Sequence, residues 1–238
     1  MAFVRLGVLP LAFLLWLSPT SAQDLTTLLS NFVASGDRAE RELILLKISE
    51  QHPEAGAALL KIAAQTTDTE TKWLAIRGIG SLRYKQAGPF LKEWLHSNSA
   101  YVRANSARAL GDIRDGSAVR DLISLLSLET DDGVLQQTSV ALEMLDAKEA
   151  IPALMAKSGV PSADTRLWMM GAVEALGSKD VSFFASFLCD QSWFVASYAA
   201  HAIARITKQD FGFPHCGPGV CSDGDGVENV RRWWKQNH

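Results

Sequence analysis

Apolar and polar positions along this chain follow a helical rhythm, and the rhythm returns about every 31 residues. Five blocks of one small and one apolar residue, Gly78-Ile79, Ala109-Leu110, Ala141-Leu142, Ala172-Val173 and Ala202-Ile203, are spaced 31, 32, 31 and 30 apart. Three residues past each apolar member comes another: Leu82, Ile113, Leu145, Leu176 and Ile206. In the clearest unit Ser106, Ala107, Leu110 and Ile113 form one stripe at helical spacing, and Val119, Leu122, Ile123 and Leu126 form a second. Gly116, between the two, predicts a short loop that folds them back as an antiparallel hairpin. A period of this length marks a solenoid, whose units bury their apolar faces only by stacking. The expected fold is all-α.

Residues of small size have a physical cause at the recurring position. Gly78, Ala109, Ala141, Ala172 and Ala202 let neighbouring units approach closely, and a bulkier residue would wedge them apart. Helix starts are expected after Asp68, Asn98, Asp132, Asp164 and Asp190, whose side chains can cap free backbone N–H groups.

The run Val102-Arg103-Ala-Asn-Ser-Ala107-Arg-Ala109-Leu110-Gly111-Asp-Ile113, followed by Ala118-Val119-Arg-Asp-Leu122, resembles the short HEAT repeats of bacterial proteins, including those of the PBS-lyase type. Weaker copies cover 73–91, 136–154, 166–184 and 194–206, and a degenerate pair stands upstream at Leu43 to Ile48 and Ala57 to Ile62, behind an opening cap at Leu25 to Val33. The resemblance implies a right-handed α-solenoid of about six stacked antiparallel helix pairs. Beyond the last copy, Thr207-Lys-Gln-Asp-Phe-Gly212 and a helix bearing Trp233-Trp234 are similar to the ending of exported bacterial HEAT-repeat proteins, with Val230 in place of the first aromatic. Val227, Val230, Trp233 and Trp234 of that helix can cover the open flank of the final repeat.

Composition adds a compartment. Arg5, an apolar run from Leu6 to Leu17 and a small-residue end at Ser18 to Ala22 fit a secretory signal peptide cleaved after Ala22, and the run is shorter than the ~20 residues that span a bilayer. The chain thus divides into a signal peptide (1–22), the solenoid (23–208) and a C-terminal loop with a capping helix (209–238). Loss of the first 22 residues, Arg5 among them, leaves 22 basic against 26 acidic side chains, a net charge of −4 with no basic stripe. Nucleic acid is therefore not an expected partner. Cys216 and Cys221, five apart in a Gly- and Pro-rich stretch, read as a local disulfide in an oxidising compartment. Cys189 reads as a small buried hydrophobe that closes the helical stretch from Phe183.

Candidate chemistry is sparse. The Asp223-Gly-Asp225 turn lacks the register of a calcium loop, and Asp225 with Glu228 reads instead as a helix-start pair. His215, Cys216 and Cys221 lack the paired knuckles of a structural zinc site. Neither a metal nor a cofactor is expected, and no nucleophile elbow, zincin motif or phosphate loop is present in the sequence. What remains is the exposed edge of the helices that begin each repeat, the face that lines the concave groove of HEAT proteins. The period superposes Arg77, Arg108 and His201 in one column, interrupted by Val140 and Gly171, and Leu74, Asn105, Gln137, Trp168 and Tyr198 in the next. Arg and aromatic residues are common contact anchors, though Trp168 and Tyr198 are also consistent with positions that merely flank the core. The function expected is a non-enzymatic periplasmic or secreted scaffold that binds a protein or peptide through Arg77, Asn105, Arg108, Gln137, Trp168, Tyr198 and His201. Two rivals are a chromophore-binding enzyme of the bilin-lyase type and an accessory subunit of a cell-envelope complex.

Overall fold

The computed structural model describes residues 24–213 and 225–238, and all regular structure among them is helical. Thirteen α-helices follow one another: α1 (Leu25–Ala34), α2 (Arg38–Gln51), α3 (Gly56–Gln65), α4 (Thr69–Ser81), α5 (Gly88–Trp94), α6 (Ala100–Asp112), α7 (Val119–Leu128), α8 (Asp132–Met144), α9 (Ile151–Lys157), α10 (Ala163–Ala175), α11 (Val181–Ala185), α12 (Trp193–Thr207) and α13 (Gly226–Asn237). The chain is an α-solenoid of two layers, with the even-numbered helices α2 to α12 in one and the odd-numbered α1 to α11 in the other.

Pairing differs from expectation by half a period. Helix α6 packs on α5 and touches α7 little, while α7 packs on α8; in the same way α3 pairs with α4, α9 with α10 and α11 with α12. The period shows that a unit recurs, not which of its two neighbours a helix embraces. With α1 on α2 this makes six pairs, and α13 then packs on the far side of α12. Val227 and Val230 of α13 are buried, Phe211 meets the Trp233 ring edge-on at 5.5 Å, and Arg231 Nε donates to the Leu188 carbonyl at 2.8 Å.

Each even-numbered helix from α4 to α10 ends in the same way. The residue after its C-cap takes a left-handed conformation, at Arg83 (φ 51°), Arg114 (φ 58°), Asp146 (φ 50°) and Gly177 (φ 87°). Its N–H bonds back three residues and the next N–H five residues, as in Arg114 to Gly111 (3.0 Å) and Asp115 to Leu110 (3.1 Å), so the orphan carbonyls of the last turn are satisfied. The turn is thus set at Arg114, while Gly116 opens a short 3-10 turn and has an ordinary φ.

Helix starts also move by one or two positions from those expected. Asp68 caps Thr71 N–H at 2.9 Å as anticipated, but Ser99, Asp131 and Ser162 cap the next three even-numbered helices, rather than Asn98, Asp132 and Asp164. Asp132 and Asp190 instead join repeats: Asp132 accepts from the Thr165 hydroxyl at 2.9 Å and Asp190 from Arg166 at 2.8 Å. Asp225 begins α13 without a side-chain capping bond, and Glu228 pairs with Arg231 at 3.1 Å.

The small-residue column lies in the core, with Ala109, Ala141, Ala172 and Ala202 almost fully buried. A glycine two residues beyond it makes the closest approach. A Cβ on Gly80 would stand 3.1 Å from the Ala109 Cα, and one on Gly111 only 2.9 Å from the Ala141 Cα, so α4, α6 and α8 touch backbone to backbone. The equivalent positions in the next two repeats are Glu143 and Glu174, and there α8, α10 and α12 lie less tightly packed. In the odd-numbered layer successive helices make fewer contacts than in the even-numbered one. The outward face of the even-numbered layer is the one expected, from the sequence reading of the repeats, to line the concave groove.

Candidate partner-binding groove

The concave face presents two hollows. Arg77 and Ser81 of α4, Ala104, Asn105, Arg108 and Asp112 of α6, and Gly133 and Gln137 of α8 enclose the first, of about 440 Å³. Four of the residues expected at the site meet here because a period of 31 or 32 residues returns each to the same angle on the next helix. Arg108 Nε lies 3.2 Å from Asp112 Oδ1, one helical turn on. Arg77 reaches Glu42 at 3.5 Å and rests over the Trp73 ring at 5.6 Å, and Glu42 is shared with Arg38 at 3.1 Å. A guanidinium carries five donors, so each arginine keeps N–H groups for a ligand. Asn105 Nδ2 donates to the Tyr101 carbonyl at 2.8 Å, which orients its amide.

The second hollow, of about 340 Å³, lies at the other end of the face and is lined by Leu167 of α10 and Phe194, Ser197, Tyr198, His201 and Arg205 of α12. Its wall is held by Glu174, which accepts two bonds from Arg205 at 2.7 and 2.8 Å and one from the Tyr198 hydroxyl at 2.7 Å. The Arg205 hydrogen bonds hold the Glu174 carboxyl below its ordinary range against the opposing effect of burial. Burial, and then the bond to Glu174, push the Tyr198 phenol up, so the hydroxyl stays protonated and donates. Glu174 in turn raises Arg205. The His201 ring stacks on Phe213 at 4.0 Å, and its Nδ1 lies 2.9 Å from the Ser197 carbonyl.

Trp168 of α10 lines neither hollow and is 50% exposed; it does not serve the core. Leu74, by contrast, is fully buried and drops out of its column. Glu174 and Arg205 belong to the site although the column reading passed over them. Their separation of 31 residues is one period, which is the signal that connects them. Cys189 is exposed, not buried: α11 stops at Ala185, so the expected helical stretch ends before it. The disulfide expected between Cys216 and Cys221 falls outside the described residues, as do His215, Asp223 and the leader. Among the described residues no cluster of three metal-ligating side chains occurs, and no helix is long and apolar enough to cross a membrane.

Comparison with known proteins agrees with this geometry. A family model described as HEAT repeats matches residues 56–145 and 88–168, and the two matches begin at α3 and α5, the odd-numbered members of the observed pairs. No curated protein matches the chain in sequence. Among solved structures, the complex of CpcE and CpcF of phycocyanin lyase from Nostoc sp. PCC7120 is similar over 85% of this chain and 82% of that one, with a TM-score of 0.55 and 18% identity. An engineered protein, Northeast Structural Genomics Consortium target OR329, is similar over 76% of this chain and 96% of its own, with a TM-score of 0.50 and 19% identity. At such identities the likeness is one of fold. Stacked two-helix units, their shared turn and the family match together make residues 56–168 a run of HEAT repeats within the α-solenoid.

Proposed function

We propose that the chain is an exported, non-catalytic scaffold, periplasmic or secreted, that holds a protein or peptide partner along its concave face. The observation that carries the reading is the set of solvent-facing aromatics on α10 and α12: Trp168 is 50%, Trp193 51% and Phe194 70% exposed, and the Trp193 and Phe194 rings meet edge-on at 5.6 Å. A solenoid gains nothing in stability from leaving such side chains in water, and grouped exposed apolar surface marks an interaction site. Arg77 and Arg108 supply polar anchors at the opposite end of the same face. Support for export comes from the basic, apolar and small-residue order of residues 5–22.

The test is capture from a periplasmic extract by wild type and by an Arg77→Ala, Arg108→Ala, Trp168→Ala triple variant. All three side chains are substantially solvent-exposed, so the variant is expected to fold as wild type does and to lose the captured partner. A triple variant that retains every protein captured by wild type would show that the groove is not the binding surface.

A further inference from the structure

The two hollows differ in chemistry and lie a definite distance apart, which restricts what can occupy both. The first is lined by two arginines and one aspartate, and the glutamate that approaches Arg77 is shared with Arg38, so its charge suits an anionic group. The second is walled by Leu167, Phe194 and Tyr198, with its polar groups already engaged with Glu174 or Ser197, and suits a bulky apolar one. Each is the size of one or two side chains rather than of a folded surface. In the lining of the first hollow the Gln137 amide has no hydrogen bond among the described residues, and Asn105 spends one N–H on Tyr101 and keeps its carbonyl oxygen. Such amides match the donors and acceptors of an extended backbone. Trp168 gives the remaining stretch an aromatic surface to lie against.

The first hollow centres on α6 and the second between α10 and α12, about two and a half helix spacings away. At about 8–10 Å per spacing the gap is roughly 20–25 Å. An extended chain covers that in about six or seven residues, at roughly 3.3–3.6 Å each. We propose that the partner presents one extended peptide segment, with an acidic side chain seated between Arg77 and Arg108 and, about seven residues along, a large apolar or aromatic side chain seated beside Phe194 and Tyr198. This rests on the reading of the groove as the partner surface, and names what that surface selects.

Fluorescence anisotropy with labelled synthetic peptides tests it. The reference peptide carries Asp-Asp, a Gly/Ser spacer and Trp at the stated separation, made in both chain directions, with the tighter used throughout. Replacing Asp-Asp with Lys-Lys, or Trp with Ala, is expected to weaken binding at least tenfold, and removing three spacer residues at least fivefold. An Arg77→Glu, Arg108→Glu variant is expected to prefer the Lys-Lys peptide, and Phe194→Ala to lose the preference for Trp over Ala; unchanged helical circular dichroism shows that both fold. Equal binding of the Lys-Lys peptide, or indifference to spacer length, overturns the proposal. If the triple alanine variant loses its partner while no peptide of the set binds wild type, the groove reading stands and this one falls. Capture that survives the triple variant removes the groove reading itself.

Discussion

Among single residues, Glu174 ties two repeats together. Its carboxylate unites α10 and α12 through Arg205 and Tyr198, and those bonds favour its ionised form in the folded state. A carboxyl held below its unfolded pKa of about 4.3 contributes stability that is fully present above that value and is lost as pH falls through the folded pKa. Thermal melts of Glu174→Gln should therefore lie below wild type at neutral pH, and the difference should shrink steadily as pH drops below about 4. A different expectation attaches to Asp146, which occupies a left-handed position and whose side chain, among the described residues, makes only an exposed contact of 3.9 Å with Lys148. Asp146→Gly should raise stability by about 0.5–1 kcal/mol in urea unfolding, because glycine takes that conformation without the Cβ clash. A third expectation concerns Thr138, whose buried hydroxyl has no hydrogen-bond partner among the described residues. Thr138→Val should leave stability unchanged or raise it by about 1 kcal/mol, since the cost of an unsatisfied buried hydroxyl disappears with it.

At the scale of helices, packing depends on where side chains are missing. Gly111 lies so close to Ala141 that even a methyl group must move α8. Gly111→Ala gains about 1 kcal/mol of helix propensity, yet the displaced backbone contact should cost more, and a net loss of about 1–2 kcal/mol is expected in urea unfolding. The repeat period was legible in the sequence because Ala109, Leu110 and Ile113 recur, in kind, at fixed spacing. The turn after α4, α6 and α8 was not, because Arg83, Arg114 and Asp146 stand where glycine would have announced a left-handed residue. Nor was the identity of each helix's partner, since α5 and α7 are equally near α6 along the chain and only packing separates them. Caps were misplaced for a related reason: Asp131 and Asp132 are alike in chemistry, and geometry alone decides that the first caps the helix while the second bonds Thr165.

For the molecule as a whole, curvature turns one layer of helices into a groove and gives its two ends different character. The first hollow was readable because Arg77, Asn105, Arg108 and Gln137 occupy two columns that the period superposes. The second was readable only in part: Tyr198 and His201 belong to those columns, but Glu174 and Arg205 reach in from beyond them, and their bond crosses between helices. Tight glycine contacts at α4, α6 and α8 give way to Glu143 and Glu174 at α8 and α10, so the groove is closed by backbone at one end and by an ion pair at the other. The most direct test of the central claim, that the concave face carries the partner, is site-specific photo-crosslinking in the producing cell. A benzophenone amino acid at Gln137 or Trp168 on that face should trap one and the same partner, and one at Leu128 on the odd-numbered layer, which is 81% exposed, should trap none. Adducts from Leu128 with silence at Gln137 and Trp168 would contradict it.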